Sequence, residues 1–183
     1  MAIIGPRRRP APPFARDGVW RNPAAGCFDR GMTDNIESSR IVTASRVISA
    51  PADRIFELIA DPAEQPRWDG NDNLAKSAAG QRVRAVGDVF VTTLTIGSDR
   101  ENHVVEFEEG RRIAWRPSEP GQPQPGHLWR WEIEPVDATS ARVTHTYDWS
   151  ELTDEQRFVR ARATTENKLM ASLDRLAELA ERG

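Results

Sequence analysis

The run Val47-Ile-Ser-Ala-Pro-Ala-Asp-Arg-Ile-Phe-Glu-Leu-Ile-Ala-Asp-Pro62 decides how the rest of the chain reads. Its first residues finish the stretch Ile41–Ser49, whose Ile, Val and Thr side chains suit a pleated, half-buried strand. Pro51 then stands where a first helical residue belongs, because its fixed φ suits that position and its missing N–H would have no partner there. Asp53 follows in the first turn, near the positive end of the helix dipole. Ala52, Ile55, Phe56 and Ile59 fall at i, i+3, i+4 and i+7, one face of a helix. Asp61-Pro62 stops that helix, since a residue before proline is driven out of the α region. The passage predicts a strand, a tight turn and an amphipathic helix with an apolar face to bury.

Downstream, a short second helix carries Trp68 and Asp69 and is broken by Gly70 and Asn71. From residue 76 to 149 the hydrophobic period becomes two. Turn signals stand at Gly80, Gly87-Asp88, Gly97 to Arg100, Glu109-Gly110, Pro117 to Gly126 and Pro135 to Ser140. That spacing predicts an antiparallel meander. Four faces read inward: Phe90, Thr92, Leu94 and Ile96; His103, Val105 and Phe107; Ile113 and Trp115; Trp129, Trp131 and Ile133. The last strand places Val143, His145, Tyr147 and Trp149 on one side. Opposite them stand Glu106, Glu108, Arg112, Arg130, Glu132, Arg142 and Asp148, so the sheet has one wet and one covered face.

A long C-terminal helix is the available cover. Thr153 and Gln156 have capping-box spacing. Phe158, Arg162, Thr165, Leu169, Leu173, Leu176 and Ala180 follow at helical spacing. The first half of that stripe is polar, which hints that part of the space beneath it is not packed core. The expected fold is α+β: a curved antiparallel sheet of about six to seven strands around a long C-terminal helix, with two short helices after the first strand.

The 183 residues carry a net charge of −3, but unevenly. Residues 1–31 are arginine-rich, hold four prolines between 6 and 13, and show no helical or strand period. They read as a disordered tail before a domain at 32–183. The domain itself is acidic, which argues against nucleic-acid binding. Cys27 is the only cysteine, so neither an internal disulfide nor a paired-cysteine metal or redox motif is available. No apolar run approaches the roughly 20 residues that span a bilayer, and no signal-peptide pattern opens the chain. A cytoplasmic protein is expected.

The Val47–Pro62 run resembles the opening of the START-like, or SRPBCC, superfamily, in its polyketide cyclase/dehydrase and lipid-transport branch. Pro66-Arg67-Trp68-Asp69, Arg111-Arg112-Ile-Ala-Trp115, Trp129-Arg-Trp-Glu-Ile-Glu-Pro135 and Ala141-Arg-Val-Thr-His145 resemble its later elements. The likeness covers about residues 40–181. It implies a helix-grip fold with a hydrophobic cavity. The superfamily includes carriers, cyclases and hydrolase-like regulators and has no universal catalytic motif, so fold alone does not settle function.

Three readings stay open. The first is binding of a small hydrophobic, lipid-like or aromatic ligand between sheet and helix. Its expected contacts are Trp68, Phe90, Leu94, His103, Trp115, Trp129, Trp131, Tyr147, Thr165 and Leu169. Aromatic rings supply large apolar area and stack on flat ligands, while Thr92, Thr165 and Asn167 are candidates for its polar end. The second is an aromatase/cyclase-type enzyme, with His103 and Tyr147 handling protons. The third is a ligandless regulatory module whose tryptophans fill the core. A contiguous cavity above roughly 300 Å³ favours the first. No cofactor and no metal is expected, because His103, His127 and His145 lack ligand spacing. The chain is expected as a monomer or homodimer without nucleic-acid partners. The loop Pro117 to Gly126 reads as a lid or a plain hairpin connection.

Overall fold

The computed structural model describes residues 39–182. The proline- and arginine-rich segment 1–31, expected to lack order, lies outside the described residues. The first strand, β1 (Ile41–Ile48), leads into α1 (Ala52–Ala60). Pro51 sits at φ −57° immediately before the helix, and Ile55, Phe56, Ile59 and Ala60 are its buried face. Asp61 ends α1 and reuses its carboxylate, accepting a hydrogen bond from Ala63 N at 3.0 Å to open a short 3-10 turn. A four-residue helix, α2 (Gln65–Trp68), follows directly.

Six strands then run as a meander: β2 (Leu74–Ser77), β3 (Val89–Leu94), β4 (Asp99–Glu108), β5 (Arg112–Ser118), β6 (Leu128–Asp137) and β7 (Ser140–Asp148). The sheet order is β1-β7-β6-β5-β4-β3-β2, and every pairing is antiparallel. This curled sheet and its C-terminal helix form the helix-grip fold. The covered face is built by Phe90, Val104, Ile113, Trp115, Trp131, Ile133, Val143 and Tyr147.

Several details differ from the sequence reading. The C-terminal helix is not continuous: α3 (Glu155–Arg162) and α4 (Glu166–Glu181) are separated at Ala163–Thr165. Asp154 rather than Thr153 caps α3, its carboxylate accepting from Gln156 N at 3.0 Å. An ionised acceptor makes the stronger cap. The second difference lies in β4. A bulge between Val104 and Glu106 shifts the register against β5. Strict alternation back from Phe107 places Val105 and His103 inward. The extra residue instead turns Val104 and Asn102 to the core and sends His103 to the other face. Ile96 also leaves the inner face, since it lies in the turn after β3 and is exposed.

Helix α4 packs against β1, β7, α1 and α2. Its buried stripe is Leu169, Ser172, Leu173, Leu176, Ala177 and Ala180. Gly70 lets the chain after α2 approach it: a Cβ there would fall 2.4 Å from Lys168 O and 2.5 Å from Ser172 N. Gly70 N donates to Ser172 Oγ at 2.8 Å, and Arg175 donates to Asp69 O. These bonds fasten the short helix to the long one. No helix among the described residues is long and apolar enough to cross a membrane.

Candidate functional site

A cleft of about 180 Å³ lies beneath α3. Helix α3 comes as close to no other element as α4 does to β1, so the space below it is not closed by helix–sheet packing. The sheet wall is aromatic: Trp115 from β5, Trp129 and Trp131 from β6, and Tyr147 from β7. Antiparallel register makes them neighbours, with Trp129 opposite both Trp115 and Tyr147, and Trp131 opposite His145. The Trp129 and Tyr147 ring centroids are 4.3 Å apart. Trp131 stacks on His145 at 3.7 Å with 12° between ring planes. Trp68, from α2, meets the edge of Trp131 at 5.0 Å and donates its indole N–H to Leu58 O at 2.8 Å. That bond locks the ring as an end wall.

The rest of the lining is polar. Gln65, Asp69, Asn71 and Asn73 come from the region around α2, and Thr92, Arg100 and Asn102 come from β3 and β4. Asn102 Nδ2 donates to Thr92 Oγ1 at 3.2 Å, deep in the wall. Asp69 is committed to its own loop, accepting from Asn71 N at 3.0 Å, Asn73 N at 2.9 Å and Leu74 N at 3.2 Å. His127 follows Gly126, whose φ of +101° and whose approach to Glu151 (a Cβ would lie 2.3 Å from its carbonyl oxygen) leave room only for glycine. That close approach pins the end of the Pro117 to Gly126 loop beside the cleft. From α3 and the residues flanking it come Leu152, Arg157, Arg160, Ala161 and Thr164.

Burial dominates the titration of the histidines. His145 is held down to about 3 by desolvation, with the Leu169 backbone weakly opposing. His127 is lowered to about 4, first by burial and then by the charges of Arg157, Arg100 and Arg160. Both are neutral imidazoles near neutral pH. Burial pushes the Tyr147 phenol up to about 12, so it remains a hydroxyl donor. Four buried nitrogens on lining residues have no hydrogen-bond partner in the protein: Gln65 Nε2, His127 Nδ1, Trp131 Nε1 and His145 Nδ1. Each unmade bond of this kind costs about 1–3 kcal/mol.

The sequence-selected residues divide. Trp68, Leu94, Trp115, Trp129, Trp131 and Tyr147 line the cleft together, with Thr92. Phe90 and Leu169 lie in the solid core instead; Phe90 packs edge-on to Trp115 at 5.4 Å and supports the wall from behind. His103 is on the opposite sheet face, with Nε2 3.1 Å from Ser118 Oγ and 3.9 Å from Glu101. It does not meet Tyr147, and the His103–Tyr147 proton pair has no geometric basis. Thr165 and Asn167 are exposed at the start of α4. The residues not anticipated are Gln65, Asn102, His127 and the arginines; the polar first half of the helical stripe was their only trace in the sequence. The wall is therefore mixed rather than simply hydrophobic. Among the described residues no group of three or more His, Cys, Asp or Glu could hold a metal ion.

Known proteins resemble this chain at two levels. An uncharacterized protein of Mycobacterium tuberculosis strain H37Rv is 29% identical over 111 residues, which is 59% of this chain and 47% of that protein. The chain thus spans about half the length of the relatives it matches. Among solved structures, the ZhuI aromatase/cyclase from Streptomyces sp. R1128 superposes with a TM-score of 0.58 at 18% identity, covering 78% of this chain and 93% of that one. The Aha1 dimer of Colwellia psychrerythraea gives 0.56 at 19% identity, covering 78% and 97%. At those identities the structural likeness speaks for the fold alone. The family model for polyketide cyclase / dehydrase and lipid transport, however, matches residues 39–181, nearly the whole described region, and the chain belongs to that family.

Proposed function

We propose that the chain binds a small, flat, oxygen-bearing aromatic molecule in the cleft under α3. The observation that carries this reading is the cleft itself: a wall of tryptophan and tyrosine rings with an unfilled space of about 180 Å³ in front of it. That volume lies below the roughly 300–1,000 Å³ of drug-sized ligand sites. It suits one or two fused rings better than an extended lipid chain. The polar side chains of the lining, Thr92, Asn102 and His127 among them, favour a ligand with oxygen atoms. The fully filled, ligandless reading is disfavoured by the same space.

The family also supports a cyclase reading, and one observation favours it. Neutral His127 and the Tyr147 hydroxyl lie on the same wall, with ring centroids 6.0 Å apart. A neutral imidazole can accept a proton while a phenol steadies a developing enolate oxygen. This pair replaces the one anticipated from the sequence.

Titration with 2-naphthol, followed by intrinsic tryptophan emission, tests the binding reading. Four of the six tryptophans line the cleft, so a bound ring should quench emission saturably. A ligand of about a dozen heavy atoms reaches a micromolar Kd at about 0.7 kcal/mol per atom, within the known ceiling for small ligands. Absence of saturable quenching by 2-naphthol and by related one- and two-ring aromatics would overturn the reading. Conversion of a bound ligand during the incubation, seen as a mass change, would select the cyclase reading over simple carriage.

A further inference from the structure

Helix α3 presents an unusual stripe to the cleft: Arg157, Arg160, Ala161 and Thr164, at i, i+3, i+4 and i+7. Two guanidinium groups on the inward face of a covering helix are not needed to bury a sheet. Arg100, from β4, joins them as a third cation in the lining. Their counter-charges are unevenly placed. Arg157 meets Asp154 at 3.1 Å and Glu119 at 3.3 Å, and Arg100 reaches Glu119 only at 4.0 Å. Arg160 has no carboxylate within 4.0 Å among the described residues. The only carboxylate in the lining is Asp69, whose oxygens are already taken by backbone amides of its own loop. The lining thus holds three arginines against one carboxylate; Glu119 and Asp154, just outside it, offset Arg157 and Arg100 and leave Arg160 without a paired carboxylate among the described residues.

The cations also converge. Arg157, Arg100 and Arg160 all act on His127, and Arg160 acts on Tyr147 as well. Arg160 is exposed at the mouth of the cleft, in the same lining as His127 and Tyr147. A planar guanidinium with free N–H donors matches a carboxylate in both charge and geometry. The low-dielectric aromatic wall beneath strengthens that attraction relative to open water.

We propose that the ligand of this cleft is an aromatic carboxylate, its rings against Trp115, Trp129 and Trp131 and its carboxylate at the rim on Arg160. The proposal rests on the reading of the cleft as a ligand site and specifies the chemical class of that ligand. It assigns to Arg160 the choice of anionic over neutral aromatics.

The test compares 2-naphthoate with the neutral 2-naphthalenemethanol on the full chain at pH 7, by tryptophan emission, in wild type and in Arg160→Gln. Arg160 is exposed, and circular dichroism together with unchanged binding of the neutral probe verifies that the variant is folded. Wild type should bind naphthoate about tenfold or more tightly than the alcohol, as one charge-assisted contact allows. Arg160→Gln should bring the two affinities to within about twofold while leaving the alcohol unchanged, and added salt should weaken only the naphthoate. Equal affinities in wild type would overturn the anionic class while leaving the cleft a binding site. A preference that survives in Arg160→Gln would overturn the assignment to Arg160. Failure of both probes to bind would overturn the ligand-site reading and this inference with it.

Discussion

Helices α3 and α4 lie next to each other in the chain, and the sequence presents them as one amphipathic helix. Their inward faces do different physical work. The face of α4 is Leu169, Leu173, Leu176, Ala177 and Ala180, all buried, and it closes the core against β1 and β7. The face of α3 toward the cleft is Arg157, Arg160, Ala161 and Thr164. Its other side is held by aromatic and cation–π contacts: Phe158 lies 5.6 Å from Trp149, and the Arg40 guanidinium lies 4.9 Å from Phe158 and 5.2 Å from Trp149. One helix is held by what lies beneath it, and the other is held along its side over a space. A covering helix that need not fill a core is free to carry charge, and that freedom is what turns a packed fold into a site.

Substitutions can break this contrast. The largest effect belongs to Leu173→Ala, which empties a fully buried position under α4. A loss of about 3 kcal/mol is expected, since nothing can collapse into the hole without moving the helix. Urea denaturation measures it, and a loss under about 1 kcal/mol would mean that α4 is not packed as described.

At the junction between the two regions stands His145, stacked on Trp131. In the folded chain it titrates near 3, against the ordinary 6.5. Below pH 6.5 the unfolded chain therefore binds a proton that the folded chain refuses. Stability falls as pH drops from 6.5 toward 3, on the order of 2 kcal/mol between pH 7 and 5. His127, lowered to about 4, adds a loss of the same sign and nearly the same size over that window, because both folded values lie below pH 5. Carboxylates such as Glu106, held low by the hydrogen bond from Arg130, lose stabilisation at still lower pH. The informative quantity is therefore the difference between wild type and His145→Gln. The variant should remove roughly half of the histidine-linked slope between pH 7 and 5, the rest staying with His127, and an unchanged slope would remove His145 from the account.

The smallest effect on stability is expected from Ala161→Leu. Ala161 is buried at the edge of the core and borders the cleft, which can take up the added carbons, so folding stability should change by about 1 kcal/mol. Binding of 2-naphthol should nevertheless be lost, because the new side chain occupies ligand space. A large destabilisation would show that the region below α3 is as tightly packed as that below α4.

Much of the fold was legible because local rules and global packing agree. Pro51, the 3.6-residue period of α1 and the stop at Asp61-Pro62 each predict what the structure contains. The meander was readable from its turn residues. The inward placement of Trp115, Trp131 and Tyr147 followed from alternation alone. His103 failed because alternation assumes an unbroken ladder, and the bulge at Val105 adds one residue that no propensity announces. Thr165 failed for a related reason. A helical stripe drawn through residues 158 to 180 assumes one axis, whereas the break at Ala163–Thr165 starts a new one. His127 and Arg100 were hidden because neither lies in a patterned segment whose face could be read.

From the sequence by itself came the order of elements, the covered face of the sheet and the identity of its aromatic wall. These depend on periodicity and turn chemistry, which act within a few residues along the chain. Only the tertiary structure decided where the wall stays uncovered, which polar groups from α2, β4, the residue 126–127 corner and α3 meet in front of it, and which arginine of the lining lacks a counter-charge among the described residues. Those outcomes depend on register, on a helix break and on distances between segments far apart in the chain. Short-range patterns cannot specify where independent elements leave a gap, because a gap belongs to none of them.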